Sequence, residues 1–167
     1  MLLHCTQKLA AKLPRVSAAG CSEALPFNHW HAQLYVIDRC QCVLFCHDLS
    51  RFMVFLPGLT RKQFADLETH FREVLFATLH RFGVTASRLK TVALALGPAC
   101  YDTVTNRSVL SSMNIARSDL ESWLERVPTV MELDSVTVSF ELSQRPVTVH
   151  KQWSWPNKAM LAAVAAL

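Results

Sequence analysis

The 167-residue sequence contains only four glycines and seven prolines, and it has no segment of low complexity. With 51% hydrophobic residues, this composition excludes long intrinsically disordered regions. No apolar run approaches the roughly 20 residues that cross a bilayer, which excludes a membrane-spanning helix. No secretory hydrophobic region follows Met1, because Lys8, Lys12 and Arg15 interrupt it. We therefore expect one cytoplasmic domain over residues 1–167, with reduced cysteines and no membrane partner.

Sequence motifs that identify an enzyme class are also missing. The chain has no Gly-rich phosphate loop, no G-x-S-x-G and no H-E-x-x-H. Cysteine catalysis is not expected, since neighbours on a strand such as Cys46 and His47 point to opposite faces. The absence of reaction chemistry favours a non-catalytic binding or regulatory module that needs no cofactor. We expect it to act through self-association, as a homodimer, or through a protein partner.

Hydrophobic periodicity predicts an α+β fold. The apolar runs QLYVI, QCVLFCH and RFMVFL are separated by tight connections and predict an antiparallel β-meander, which MLLHC extends as a first strand. The middle and third runs are apolar at odd and even positions, so both faces of the sheet should be covered. Amphipathic helices are predicted over residues 60–82, 87–96 and 108–127, and a short helix follows Thr6.

The segment after Pro128 is ambiguous. In DSVTVSFEL, apolar and polar residues alternate, which predicts a strand at residues 135–142 that extends the sheet at its other end. A helix through Leu133, Val136 and Phe140 is the alternative. The VTVH segment predicts a further strand, and Pro156 suits the first position of a closing helix over residues 156–167.

The histidines near the meander suggest a metal site. If the turn at residues 38–40 is tight, antiparallel pairing places residue 35 near 43 and residue 31 near 47. His29, His31 and His47 would then gather at one end of the sheet. With a neighbouring Asp48 or Asn28, three imidazoles could hold a divalent metal, which makes a metal-dependent enzyme one alternative.

The cysteines of RCQCVLFCHD are expected to stay outside that site. Cys40, Cys42 and Cys46 share one face of their strand, opposite to His47. Structural zinc sites normally bring two paired knuckles, and the spacing of these cysteines does not repeat elsewhere. The pattern therefore favours a buried strand in which Cys42 and Cys46 act as small hydrophobic residues.

Charge is distributed unevenly along the chain. Residues 1–65 carry seven Lys or Arg against three acids (+4), residues 66–141 seven against ten (−3), and residues 142–167 three against none (+3). Basic ends, with a tryptophan between lysines in KQWSWPNK, suit nucleic acid, which is a second alternative. The candidate contact residues are Lys8, Lys12, Arg15, Arg145, Lys151 and Trp153.

Four stretches together resemble a bacterial family catalogued as a domain of unknown function. They are LHCTQKLAAKLP, HWHAQLYVIDRCQCVLFCHDLSRFMVFLPGL, NRSVLSSMN, and ELSQRPVTV with WPNKAML. The chain departs from the family pattern at Ser111 and Ser143, where Gly and Asn are usual. The resemblance covers nearly the whole chain and implies a small bacterial cytoplasmic protein of an accessory kind, with no assigned activity.

Overall fold

The fold is α+β, with a mixed five-stranded sheet between two layers of helices in the computed structural model. The structure describes residues 1–18, 25–125, 127–149 and 151–167. The sheet has the order β4-β3-β2-β1-β5, in which β1 pairs in parallel with both β2 and β5. Its strands are β1 Leu2–Cys5, β2 His29–Ile37, β3 Cys40–His47, β4 Met53–Leu56 and β5 Cys100–Asp102.

Seven α-helices surround the sheet in the described parts of the chain. They are α1 Gln7–Ala10, α2 Arg61–Ala65, α3 Leu67–Arg81, α4 Ala86–Leu96, α5 Arg107–Leu124, α6 Ser135–Gln144 and α7 Pro156–Ala165. The predicted helix over residues 60–82 begins with a capping box of Thr60 and Gln63, but it breaks at Asp66 into α2 and α3. In the described ranges, none of the helices has both the length and the hydropathy that a membrane span requires.

The meander is confirmed, and its hairpin turn sets the register. Asp38 and Arg39 both have positive φ angles, 49° and 64°, which is the geometry of a two-residue turn between β2 and β3. This turn places Leu34 opposite Val43 and Trp30 opposite His47. The predicted pairing of residue 35 with 43 is therefore wrong by one residue. Relative to β2, every side chain of β3 lies on the face opposite to the predicted one.

Both faces of the sheet are covered, as the apolar runs predicted. On one face, Phe45 and Val54 pack with α3, α4 and α7 around Phe71 and Leu75. On the other face, Leu44 and the buried thiols of β3 pack against α5 and α6. The two cores explain why β3 has no polar face.

The strand predicted at residues 135–142 is wrong, because this segment forms α6. Asp134 caps the helix by accepting a hydrogen bond from the N–H of Thr137, and Val138 and Leu142 bury one face. The edge of the sheet predicted for this segment belongs instead to β5, which the sequence did not indicate. The VTVH prediction corresponds to β6 Val147–Val149, which pairs with β7 Gln152–Ser154 in a separate hairpin.

Helix α6 supplies hydrogen bonds to the outer strand β4. Ser139 and Ser143, four residues apart on one helical face, are fully buried. The N–H of Phe55 donates to Ser139 Oγ at 2.9 Å, and the N–H of Met53 donates to Ser143 Oγ at 3.0 Å. The Ser143 hydroxyl donates in turn to the carbonyl of Met53 at 3.2 Å. The two serines therefore satisfy backbone groups that another strand would otherwise pair.

Replacing Ser139 by alanine should lower the free energy of unfolding by about 1–3 kcal/mol, because the N–H of Phe55 would be buried without an acceptor. Urea denaturation measures this loss. Ser122→Ala, at an exposed helical serine, is the matched control and should change stability by less than about 0.5 kcal/mol. Equal losses in the two variants would contradict the role given to Ser139.

Candidate metal centre

His47 does not join the other predicted ligands. It lies opposite Trp30, on the face of the sheet that packs against α3, and its ring is 4.9 Å from the Trp30 ring. Its Nδ1 bonds with Ser50 Oγ at 2.8 Å, and its Nε2 donates to the carbonyl of Phe27 at 3.1 Å. Burial lowers the pKa of His47 to about 4, so the ring is neutral and serves the core. The predicted cluster of His29, His31 and His47 is wrong, because the register differs by one residue from the predicted one.

His29 and His31 share the opposite face with His4 of β1. Parallel pairing places His4 beside His31, and their ring centroids are 5.0 Å apart. His4 also faces Asp102, the last residue of β5, with its Nδ1 2.7 Å from Asp102 Oδ1. The cluster therefore contains residues from three adjacent strands and from the loop that follows β3.

Both ring nitrogens of His31 are occupied. The backbone N–H of Asn106 donates to Nε2 at 2.7 Å, so the proton of the neutral ring is on Nδ1. Nδ1 donates to Asp48 Oδ1, also at 2.7 Å. His31 is 2% exposed and has no nitrogen left for a metal. Its role is to orient Asp48.

His4 is oriented in the same manner. Its Nδ1 donates to Asp102 Oδ1, which also accepts the N–H of Val104 at 3.1 Å. Nε2 of His4 is then directed at His29 Nδ1, with which it forms a hydrogen bond of 3.3 Å. A carboxylate that holds one nitrogen of a histidine and directs the other into a site is the usual partner of a metal ligand.

Three ligand atoms meet at this place, one each from His4, His29 and Asp48. All lie within 4.8 Å of one another. Two nitrogens bound to a tetrahedral metal at about 2.0–2.1 Å are about 3.3 Å apart, which is the spacing of His4 Nε2 and His29 Nδ1. The backbone N–H of Asp48 donates to the carbonyl of His29 at 3.0 Å and fixes their relative positions. The arrangement suits a divalent transition metal bound by two imidazoles and one carboxylate.

Asp48 is ionised in this setting. Burial opposes its ionisation, but the hydrogen bond that His31 Nδ1 donates to the carboxylate acts in the other direction, and the pKa of Asp48 is lower than usual. The carboxylate is therefore available as an anionic ligand at neutral pH.

The sequence interpretation missed His4 and Asp102 and named Asp48 only as a neighbour. His4 lies in MLLHC, whose alternation places Leu3 and His4 on opposite faces. This alternation indicates that the side chain of His4 lies on the face of the sheet opposite to Leu3, but it does not indicate which strand lies beside β1. The pairing of β1 between β2 and β5 supplies the missing proximity.

The cysteines of β3 do not contribute to the site. Cys42 and Cys46 are fully buried, and burial raises their thiol pKa values to about 11 and about 12. Cys5, Cys40, Cys42 and Cys46 are free thiols, whereas Cys100 is disulfide-bonded, which departs from the expected set of reduced cysteines.

Alkylation by iodoacetamide should discriminate among these thiols. In the native protein at pH 8 we expect half-buried Cys40 to react about 100-fold or more faster than Cys42 and Cys46, since thiolate and access are both required. Peptide mapping by mass spectrometry gives the rates, and denaturation in urea should make the three thiols react alike. Equal native rates would show that the β3 thiols are accessible to solvent.

The predicted nucleic-acid contacts lie on separate elements. Lys8 belongs to α1, and Lys12 and Arg15 follow it. Lys151 connects β6 and β7, and Trp153 of β7 is 76% exposed. Arg145 forms an ion pair with Asp119 of α5. None of these residues contributes a ligand atom to the histidine cluster.

Comparison with known proteins places nearly the whole chain in one family. Residues 2–159 match a family model described as "Domain of unknown function (DUF6933)". No curated protein and no solved structure matches the chain. The geometry of the cluster is therefore the main guide to function.

Proposed function

The chain belongs to the DUF6933 family, which is described as a domain of unknown function, and we propose that it binds a divalent transition metal. The ligands are His4, His29 and Asp48. The observation that carries the proposal is the 3.3 Å separation of two imidazole nitrogens, one of which is oriented by a buried carboxylate.

The surroundings of the ligands support this proposal. Asp102 is 2% exposed and His4 is 8% exposed, so the pair is held in a fixed orientation with little competition from water. His31 holds Asp48 in the same way, through a nitrogen whose protonation is fixed by the backbone of Asn106. Groups that orient a ligand in this way, as Asp102 orients His4, usually accompany a bound metal, whereas histidines on the surface of a sheet do not need them.

The number of ligands indicates what the metal would do. Structural zinc sites use four protein ligands, whereas sites with three protein ligands leave a position for water or substrate. A metal held by two histidines and one aspartate would supply a Lewis acid with an open position. We therefore propose that the protein is a metal-dependent enzyme whose reaction takes place at the open coordination position of the metal.

Titration with Co²⁺ tests the proposal directly. The untagged protein should be stripped with a chelator and titrated while the visible absorption of tetrahedral or five-coordinate Co²⁺ is recorded. We expect one equivalent to bind, Zn²⁺ to displace it, and the metal to raise the melting temperature because it binds only the folded state. Absence of a stoichiometric visible spectrum, together with an unchanged melting temperature for both ions, would exclude the proposed site.

Nucleic-acid binding is a second candidate function, which the exposed ring of Trp153 beside the exposed Lys151 favours. Stacking of bases on such a ring, with nearby cations at the phosphates, is a common mode of single-strand binding. The affinity for a single-stranded oligonucleotide should then fall steeply between 50 and ~200 mM salt. An affinity independent of salt, or unaffected by Trp153→Ala, would exclude it.

A further inference from the structure

Arg51, in the loop between β3 and β4, is a buried cation with an incomplete set of partners. It is 3% exposed, and its Nη2 donates to Ser108 Oγ at 3.1 Å. Its Nε and Nη1 are inaccessible to solvent and have no hydrogen-bond partner. Among the ion pairs of the described residues, none includes Arg51.

A buried guanidinium without a carboxylate is unfavourable for folding, because burial removes hydration that nothing replaces. The backbone at Arg51 has a φ of 61°, in the left-handed region that the turn residues Asp38 and Arg39 also adopt. The missing component at Arg51 is a negative charge.

The first turn of α5 lies directly at Arg51 and is open to solvent. Asn106, Arg107 and Ser108 are all exposed, and Ser108 Oγ accepts the hydrogen bond from Arg51. An eighteen-residue helix carries partial positive charge at this end, where Asn106 Oδ1 caps the helix by accepting the N–H of Ser108 at 2.9 Å. An exposed helix N-terminus beside a buried arginine is an anion-binding arrangement.

This helix end also borders the proposed metal site. The N–H of Asn106 donates to His31, and His31 holds Asp48. Asp48 and Arg51 are three residues apart in the same loop, so one loop contributes a proposed metal ligand and the buried cation. An anion at the first turn of α5 would therefore lie near the open position of the metal.

We propose that Arg51, Ser108 and the first turn of α5 bind a phosphate group, free or as a monoester, which extends towards the open position of the metal at His4, His29 and Asp48. Only the contact between the phosphate and the metal rests on the proposed metal-binding function. A phosphate has oxygens on several sides of one atom, so it can meet the helix N–H groups and a metal at once, whereas a carboxylate offers only two coplanar oxygens.

Equilibrium dialysis with radiolabelled inorganic phosphate, at micromolar concentration, tests the inference in the chelator-treated and Zn²⁺-loaded protein. We expect loading to strengthen phosphate binding about tenfold or more, and Arg51→Met to weaken it about tenfold or more in both states. Arg51→Met should melt no lower than the parent protein in phosphate-free buffer, because it removes a buried unpaired charge. Ser108→Ala is a second variant at an exposed position, and Arg61→Met, at an exposed arginine of α2, controls for the loss of one charge.

The outcomes separate the two proposals. Phosphate binding that depends on Arg51 without any Zn²⁺ binding supports the anion site and overturns the metal site. Zn²⁺ binding without phosphate binding, or with equal effects of Arg51→Met and Arg61→Met, overturns the anion site and leaves the metal site standing. Displacement by phenyl phosphate supports a monoester, and failure of that displacement supports free phosphate. Equal displacement by acetate overturns the assignment to phosphate.

Discussion

His29→Ala should weaken Co²⁺ binding by about 100-fold or more, since even the outer partners of metal ligands contribute about 10–100-fold to affinity. His29 supplies one of the two imidazole nitrogens that are 3.3 Å apart, and without it the site retains His4 and Asp48 only. Calorimetric titration with Co²⁺, followed by competition with a chelator of known affinity, measures the loss.

Two controls accompany this variant. His80→Ala, at an exposed histidine in the last turn of α3, should leave the affinity unchanged. Asp102→Asn should give a smaller loss, about 10–100-fold, because Asp102 orients His4 without contacting the metal. If His80→Ala and His29→Ala weakened binding equally, the metal would be bound elsewhere.

Phe45→Ala should lower the free energy of unfolding by about 3–5 kcal/mol, the range for deletion of a fully buried aromatic ring. Phe45 lies at the centre of β3, is inaccessible to solvent, and its ring centroid is 4.6 Å from that of Phe71 on α3. The cavity would remove the contact between this ring and Phe71. Chemical denaturation with an unchanged m-value would confirm a loss of stability without a change of fold.

Val36→Ala is the matched control for Phe45→Ala. Val36 lies on the neighbouring strand β2 but is 66% exposed, so its truncation should change stability by less than about 0.5 kcal/mol. A loss of less than 1 kcal/mol for Phe45→Ala would mean that the sheet does not pack against α3 as described.

The sequence predicted local elements well where one pattern dominated. The capping box at Thr60 and the apolar runs of β2 and β3 each indicate a structure on their own. Segment 135–144 misled because its polar positions alternate as in a strand, although Ser139 and Ser143 are buried in a helix to meet β4. An alternating pattern indicates which residues are polar, but it does not indicate which groups their hydroxyls form hydrogen bonds with.

The site depended on information that is not local. Whether His47 lies opposite His31 or opposite Trp30 depends on a single residue of register between β2 and β3. The two-residue turn, in which Asp38 and Arg39 have positive φ angles, places it opposite Trp30. His4 and Asp102 are 98 positions apart, and only the parallel pairing of β1 with β5 brings them together. No periodicity in the chain predicts that pairing, so the orienting carboxylate could not be found from sequence.

The hydroxyl pair on α6 also bears on how copies of this protein behave in a crowded solution. An unpaired outer strand invites a second molecule to continue the sheet, and the growth of fibres can start from that event. Here the donors of β4 are already engaged by Ser139 and Ser143. Variants that loosen α6 would therefore expose these donors, and we expect them to aggregate at high concentration.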